Sequence, residues 1–410
     1  MALAPLSYHQ AIADHLAKHE RGLWAWFSSD DFSKKHASSL KLELLKSTYR
    51  LDPEEHQTIY RLAHQAMQAL EIDLPLTIYQ SESASGSPNA ALYYMKDELV
   101  VLLMGTVSEL LNEEEMLALL GHELAHHKLY SVENERYFTA ARLLDWCSGQ
   151  RTCAASFAET QRLYQLYTEV YADLGALEAT GNRDAVISCL VKVATGMKKV
   201  STAAYLKQAD EVLDQIRAGS EGVSHPETFI RAKFLEKAEH QPDDWAQLAA
   251  LIEGELDAKR LDVRGQITLT EMTHKLIETF VADEAGRADE VLALARRYFP
   301  KFDWSDQPME RAKALAQAKE FGRALGDCGV LGSRGAGVRI YLSFVLLDLA
   351  ACDPDGGDVA LGWSLLLSEQ AGFLKNYEPL ARKELKRKKA DLLKLAAQAA
   401  SEKEKAASEG

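Results

Sequence analysis

Cysteine is scarce: five among 410 residues, Cys147, Cys153, Cys189, Cys328 and Cys352. The count is odd, the spacing is irregular and no CxxC occurs, which excludes a disulfide framework and a cysteine zinc knuckle. Free thiols in a reducing compartment are the expectation. Basic charge is also in deficit. Lys and Arg number 47 against 61 Asp and Glu, a formal net charge of −14. A general nucleic-acid or anionic-membrane binder needs a basic surface, so no nucleic-acid partner is expected. Long apolar runs are missing too. The longest, Leu99–Met104 and the stretch around Tyr341–Cys352, fall far short of the roughly 20 residues that span a bilayer. The start, MALAPLSYHQAIADHLAKHE, has no basic region followed by an apolar one. These absences predict a soluble, cytoplasmic protein without membrane insertion.

What is present is ordinary globular composition, 47% hydrophobic and 26% charged. At roughly 100–200 residues per domain, two or three domains are expected, with cores large enough to need no staples. Helical spacing begins at Ala11, His15 and Leu16 and returns at Ile59, Leu62, Ala66 and Leu70, where Asp52-Pro53 reads as the helix start. LPLTIYQ (74–80) is β-rich, and SESASGSPNA (81–90) is a loop. ALYYM (91–95) and LVVLLM (99–104) read as a hairpin around a three-residue turn, Lys96-Asp97-Glu98. Asn112 and Glu115 form a capping-box pattern for a helix running to about Tyr130. Residues 131–160 are mixed, a flap or a structural loop. A strong helix spans about 158–180, closed by Gly181-Asn182, and helices dominate to a charged tail.

One motif carries chemistry: Gly121-His122-Glu123-Leu124-Ala125-His126. Residues four apart share a helix face, so His122 and His126 can aim both imidazoles at one metal ion. Glu123 then stands beside the open coordination position as a general base for water. His127 points about 100° away from His126 and reads as a neighbour on the next face. A catalytic zinc needs a third protein ligand. A metzincin would have Gly at 129 and His at 132, and the chain has Leu129 and Val132. The short-spacing Glu of thermolysin-like enzymes would fall near Trp146, where only Asp145 is offered. Farther on, Glu169 and Asp173 lie four apart on one helix, among apolar neighbours. Glu169 can ligate, and Asp173 can hold a ligand His by its other nitrogen.

HExxH followed by this distant ExxAD helix resembles the M48 family of zinc metallopeptidases, gluzincins of the CAAX-prenyl-protease and HtpX type, here without membrane spans. Pro88-Asn89-Ala90 resembles the family's edge-strand element, which implies substrate binding at Asn89 and Ala90. Ser224-His225-Pro226 with Arg231 resembles its HP…R element, which implies His225 and Arg231 near the metal as catalytic donors. The match covers about residues 50–240.

The fold expected is α+β, mostly helical: a zincin-type domain with a small hairpin or sheet and a helical C-terminal region. The division expected is an N-terminal helical segment (1–50), the peptidase domain (51–240), a helical domain (241–385) and the tail (386–410). YLSFVLLDLAACDPDGG with Glu369 is faintly similar to TerB-like helical domains, and Asp353–Asp358 hints at a calcium loop but reads better as a turn. GVLGSRGAGVR (329–339) is a loop. His9, His15, His19, His36, His56, His64, His240 and His274 are structural or surface. The function expected is a metalloendopeptidase with one Zn2+ per chain, held by His122, His126 and Glu169. Its partner is a peptide or protein substrate, with a further protein partner possible through the C-terminal helices. The rival reading is a helical scaffold with a structural or latent zinc site.

Overall fold

The structure is a computed structural model. It describes residues 3–29, 41–82, 88–150, 153–215, 219–240, 245–254, 256–305, 307–332, 335–352 and 357–408. The chain folds as two compact units, Met1–Gly254 and Glu255–Gly410.

The first unit holds a four-stranded mixed sheet of β1 (Tyr49–Arg50), β2 (Leu76–Ser81), β3 (Asn89–Met95) and β4 (Glu98–Met104). Their spatial order is β1-β2-β4-β3. β4 runs parallel to β2 and antiparallel to β3, and β1 is antiparallel to β2. Successive side chains of a strand face opposite ways. Leu99, Val101 and Leu103 of β4 therefore enter the main core, while Val100 and Leu102 pack with Tyr79 and Met95 on the other face. Met95 pairs with Glu98, so the hairpin turn is two residues, Lys96-Asp97, not three. β1 carries no strand signal in the sequence; it forms because Tyr49 and Arg50 pair with Gln80 and Tyr79. Most of the 81–90 loop lies outside the described residues.

Six helices position the rest: α1 (Ser7–His19), α2 (Gln57–Ala69), α3 (Glu113–Ser148), α4 (Ala155–Thr180), α5 (Arg183–Thr195) and α6 (Thr228–His240). α2 begins at Gln57 rather than at Asp52-Pro53. The Asp52 carboxylate accepts from the Glu54 amide at 2.8 Å, which makes a turn first.

α3 opens on a complete capping box. Asn112 Oδ1 accepts from the Glu115 amide and Glu115 Oε2 from the Asn112 amide, each at 2.9 Å. Glu115 is buried and also accepts from Ser188 Oγ (2.6 Å) and Lys192 Nζ (2.7 Å) of α5. Burial alone would raise its pKa, but these partners hold the carboxyl below its ordinary value. The start of α3 is thereby fixed to α5.

The helix does not run straight. Glu133, Asn134 and Glu135 adopt positive φ (52°, 56° and 60°) and break it into two segments. Each left-handed non-glycine residue costs about 1–2 kcal/mol, so partners must hold the bend. Tyr94 Oη donates to Glu135 Oε1 at 3.0 Å, and Tyr137 Oη to Glu133 Oε1 at 2.8 Å. The second segment buries Tyr137, Ala140, Leu143, Leu144 and Cys147 in the core. Residues 136–148 are thus a packed helix, not a flap.

α3 and α4 approach through small residues. A Cβ added at Gly121 would lie 2.7 Å from Ala179 Cβ, and one at Gly175 would lie 2.2 Å from Ala125 Cβ. α4 ends at Gly181, whose φ of 61° suits glycine as the cap. α1 seals the other side of α4. His9, fully buried there, meets Thr168 Oγ1 at 3.2 Å among the rings of Tyr137, Tyr164, Tyr167 and Tyr171. Burial pushes His9 down to about 3, so it stays neutral.

The second unit is helical. Its core surrounds Trp363, Phe280, Phe321, Phe373 and Tyr377, and Trp363 Nε1 donates to the Phe280 carbonyl at 2.9 Å. Residues 353–356 of the acidic run and 333–334 of the glycine-rich loop lie outside the described residues. Among the described residues, no helix is long and apolar enough to cross a membrane.

Candidate metal centre

The first segment of α3 carries His122 and His126 one turn apart, and α4 faces it with Glu169 and Asp173. His122 Nε2 stands 3.4 Å from Glu169 Oε2, and His126 Nε2 stands 3.6 Å from Glu169 Oε1. One ligand atom from each of the three lies within 4.8 Å of the others. Among the described residues no other group of three His, Cys, Asp or Glu comes together in this way.

The donor set fits a metal ion on the structure's own terms. Glu169 Oε2 is buried without a hydrogen-bond partner, a costly state for a carboxylate oxygen unless a cation completes it. Two imidazoles and a carboxylate are the ligand types of catalytic zinc sites.

Behind the donors lies a chain of ordered contacts. Asp173 is fully buried, and its Oδ1 meets His122 Nδ1 at 3.1 Å. That contact turns Nε2 of His122 toward the donor cluster. Arg231 of α6 donates to Asp173 from Nε (2.7 Å) and Nη2 (2.6 Å). Arg231 therefore acts chiefly on Asp173. His225, in the loop before α6, is half-exposed, with Nε2 3.4 Å from Glu169 Oε2 and Nδ1 2.8 Å from Ser224 Oγ.

The charges follow from this packing. Burial opposes ionisation of Glu169, but the adjacent His122, His126 and Arg231 hold it well below the carboxylate range. Burial likewise works against charge on His122, yet its bond to Asp173 and the adjacent Glu169 carboxylate outweigh this and raise it to about 10. Burial lowers His126 to about 4, so it is neutral near pH 7. Burial pushes Glu123 up to about 7, against the opposing pull of His122.

These shifts predict the pH dependence of metal uptake. His126 and Glu169 are ligand-ready at neutral pH, while His122 must lose its proton. Zinc binding is expected to release about one proton near pH 7, and affinity to fall as pH falls. Calorimetric titration in buffers of different ionisation enthalpy reads this count; zero would overturn the assignment. Asp173→Asn is expected to lower zinc affinity or rate by about 10–100-fold, the usual effect of changing a residue that orients a ligand. Wild-type affinity and rate in this variant would remove Asp173 from the site.

Donors and cleft are continuous. A cavity of about 660 Å³ is lined by His122, Glu123, His126, Glu169, His225 and Arg231, and on one flank by Asn89 to Leu92 of β3. Glu123, 6% exposed, receives a hydrogen bond from the Leu92 amide. β3 is at the sheet edge, paired with β4 alone among the described strands. Asn89 is exposed and uses its own Oδ1 to accept from the Ala90 amide at 2.9 Å; Ala90 is buried. His127 is not at the donor cluster: its Nε2 meets the Met95 carbonyl at 3.0 Å and its ring lies 5.1 Å from Tyr94. The opposite flank, Val186, Leu190 and Val193 of α5, was not singled out in the sequence. Its signal was the apolar spacing of four and three.

Residues 53–239 match the family model of Peptidase family M48. This stretch is similar to an M48 peptidase domain. It takes in the His pair, the α4 carboxylates, the edge strand, His225 and Arg231. Metallopeptidase activity is what that similarity suggests, and among the described residues no helix is long and apolar enough to cross a membrane. Neither the curated proteins nor the solved structures offer a match to the chain.

Proposed function

We propose that the M48 domain is a zinc-dependent endopeptidase with Glu123 as its general base. The observation that carries this reading is a three-donor cluster sharing one cleft with a buried carboxylate that is not among the donors. His122, His126 and Glu169 would hold the ion. Zinc bound there would supply Lewis acidity and an acidified water.

The chain's own residues do the rest. β3 offers main-chain donors and acceptors along its free edge, so a peptide adds as a strand, with Asn89 and Ala90 at its entrance. Glu123, poised near neutrality, takes the proton of the attacking water and passes it to the leaving amine. His225 is the cleft-facing donor best able to share the developing oxyanion. Arg231 holds Asp173 and, through it, His122. The scaffold reading is less well supported, because a structural zinc site closes its fourth position with a protein ligand and has no use for a base.

The test is hydrolysis of casein and a broad peptide library by zinc-loaded protein, abolished by 1,10-phenanthroline and restored by zinc. No cleavage by zinc-loaded protein, before and after limited trypsin trimming, would favour the scaffold. Val186, Leu190 and Val193 make the α5 flank apolar, so peptides with a bulky apolar side chain beside the scissile bond are expected to be cut preferentially. An extra buried methylene gives roughly 10–200-fold discrimination in such pockets. Equal cleavage of alanine and leucine peptides would refute that preference.

A further inference from the structure

His225 stands on a loop, residues 219–227, whose outer side lies in solvent: Val223, Ser224 and His225 are exposed. Loops of this kind move unless something beneath them holds the chain. Yet the imidazole comes within 3.4 Å of Glu169, on another element. What fixes it there is on α4. Arg162 and Glu169 both belong to that helix, and residues two turns apart share a face. Arg162 is 9% exposed. Its Nε and Nη2 donate to the two carboxylate oxygens of Glu159, at 2.9 and 2.6 Å, which sets the plane of the guanidinium. Nη1, at the other edge, donates to the Gly222 carbonyl at 2.8 Å and to the Ser220 carbonyl at 3.2 Å. The loop is closed above this anchor. Ser220 Oγ donates to Glu227 Oε2 (2.7 Å) and accepts from the Gly222 amide (3.1 Å), and the Glu221 amide donates to Glu227 Oε1 (2.9 Å). The Ser220 amide donates to the Ile252 carbonyl at 3.1 Å. A Cβ at Gly222 would collide with the His225 carbonyl, so the chain doubles back there with no room for a side chain.

We infer that Arg162 is a positioning residue: it ties the 220–227 loop to α4 and so holds His225 at the metal centre. The tie stands on the hydrogen bonds alone; its consequence for catalysis rests on the endopeptidase reading. Arg162 is neither among the three donors nor among the residues lining the cleft, so it acts only through the loop. Because the same helix carries Glu169, the loop is referred to the carboxylate that His225 faces. Lysine does not replace it: one ammonium lacks the planar fork that spans a carboxylate and two carbonyls.

Full-length Arg162→Ala, Arg162→Lys, His225→Ala and the double variant Arg162→Ala/His225→Ala test the tie. Hydrogen exchange of the 219–227 amides is expected to be at least about tenfold faster in Arg162→Ala than in wild type, as losing one charge-assisted hydrogen bond gives. Zinc content is expected to stay at the wild-type level, since the donors are untouched, and so reports an intact fold. In peptide hydrolysis kcat is expected to fall by about 10²-fold with KM near the wild-type value, the effect of an oxyanion donor displaced by about 1 Å. The double variant is expected to be no slower than His225→Ala alone, because both changes remove the same contact. Arg162→Lys keeps a positive charge beside Glu159 and covers the case in which the alanine variant does not fold; the same effects, in smaller measure, are expected of it. Wild-type exchange of the loop in a folded Arg162 variant would overturn the tie. So would loss of zinc on folding, or additive losses in the double variant. A wild type that cleaves nothing while Arg162→Ala loosens the loop would sink the endopeptidase reading and leave the tie standing.

Discussion

Glu123→Gln is expected to fold, to bind zinc as wild type does, and to hydrolyse peptides at least about 10²–10⁴-fold more slowly, the usual contribution of general acid–base catalysis. The side chain is 6% exposed and touches the Leu92 amide, and the isosteric amide fits the same space. What it lacks is basicity. Zinc can still polarise the substrate, but nothing then accepts the proton that the attacking water must lose. Metal analysis and cleavage of casein measured on the same preparations separate the two roles. Equal rates in wild type and variant would hand the site to the scaffold reading.

Glu169→Gln is expected to lose both stoichiometric zinc and activity. The buried carboxylate is the only anion among the three donors, and it faces His122, His126 and Arg231. Its amide would present a neutral oxygen to the ion in a site that already holds a buried guanidinium, so charge balance is lost with the ligand. Metal content after dialysis gives the answer. Zinc retained at one equivalent would remove Glu169 from the ligand set. His122→Ala and His126→Ala should behave alike.

The donor pattern was legible because it is local. Spacings of four put His122 with His126 and Glu169 with Asp173 on common faces, and the Asn112/Glu115 pattern gave the helix start that the structure has. Pairing between distant segments was not legible. β1 has no propensity of its own and exists through β2. The bend at Glu133–Glu135 lies in SVENER, at the start of the stretch that reads as mixed; with no Gly or Pro there to mark it, the bend is held by Tyr94 and Tyr137, which bond Glu135 and Glu133. Arg231 was legible as a residue near the metal only through family resemblance. Its bond to Asp173 joins positions 58 apart in sequence, which no periodicity reveals.

The contact of α3 with α4 at Gly121 and Gly175 has a mechanical meaning. The His pair rides on one helix and Glu169 on the other, and at each glycine an alanine Cβ of the facing helix takes the room that a second Cβ would need. The width of the donor site is therefore a gauge set by single methyl groups against bare glycine backbone, with no flexible side chain to tune it. A methyl group at either glycine would act as a wedge in the jaws of that gauge, moving one imidazole pair away from one carboxylate without changing any ligand. Selection of an ion by radius at such a centre would thus reside partly in two positions that stand outside the donor set, through the atoms they leave out.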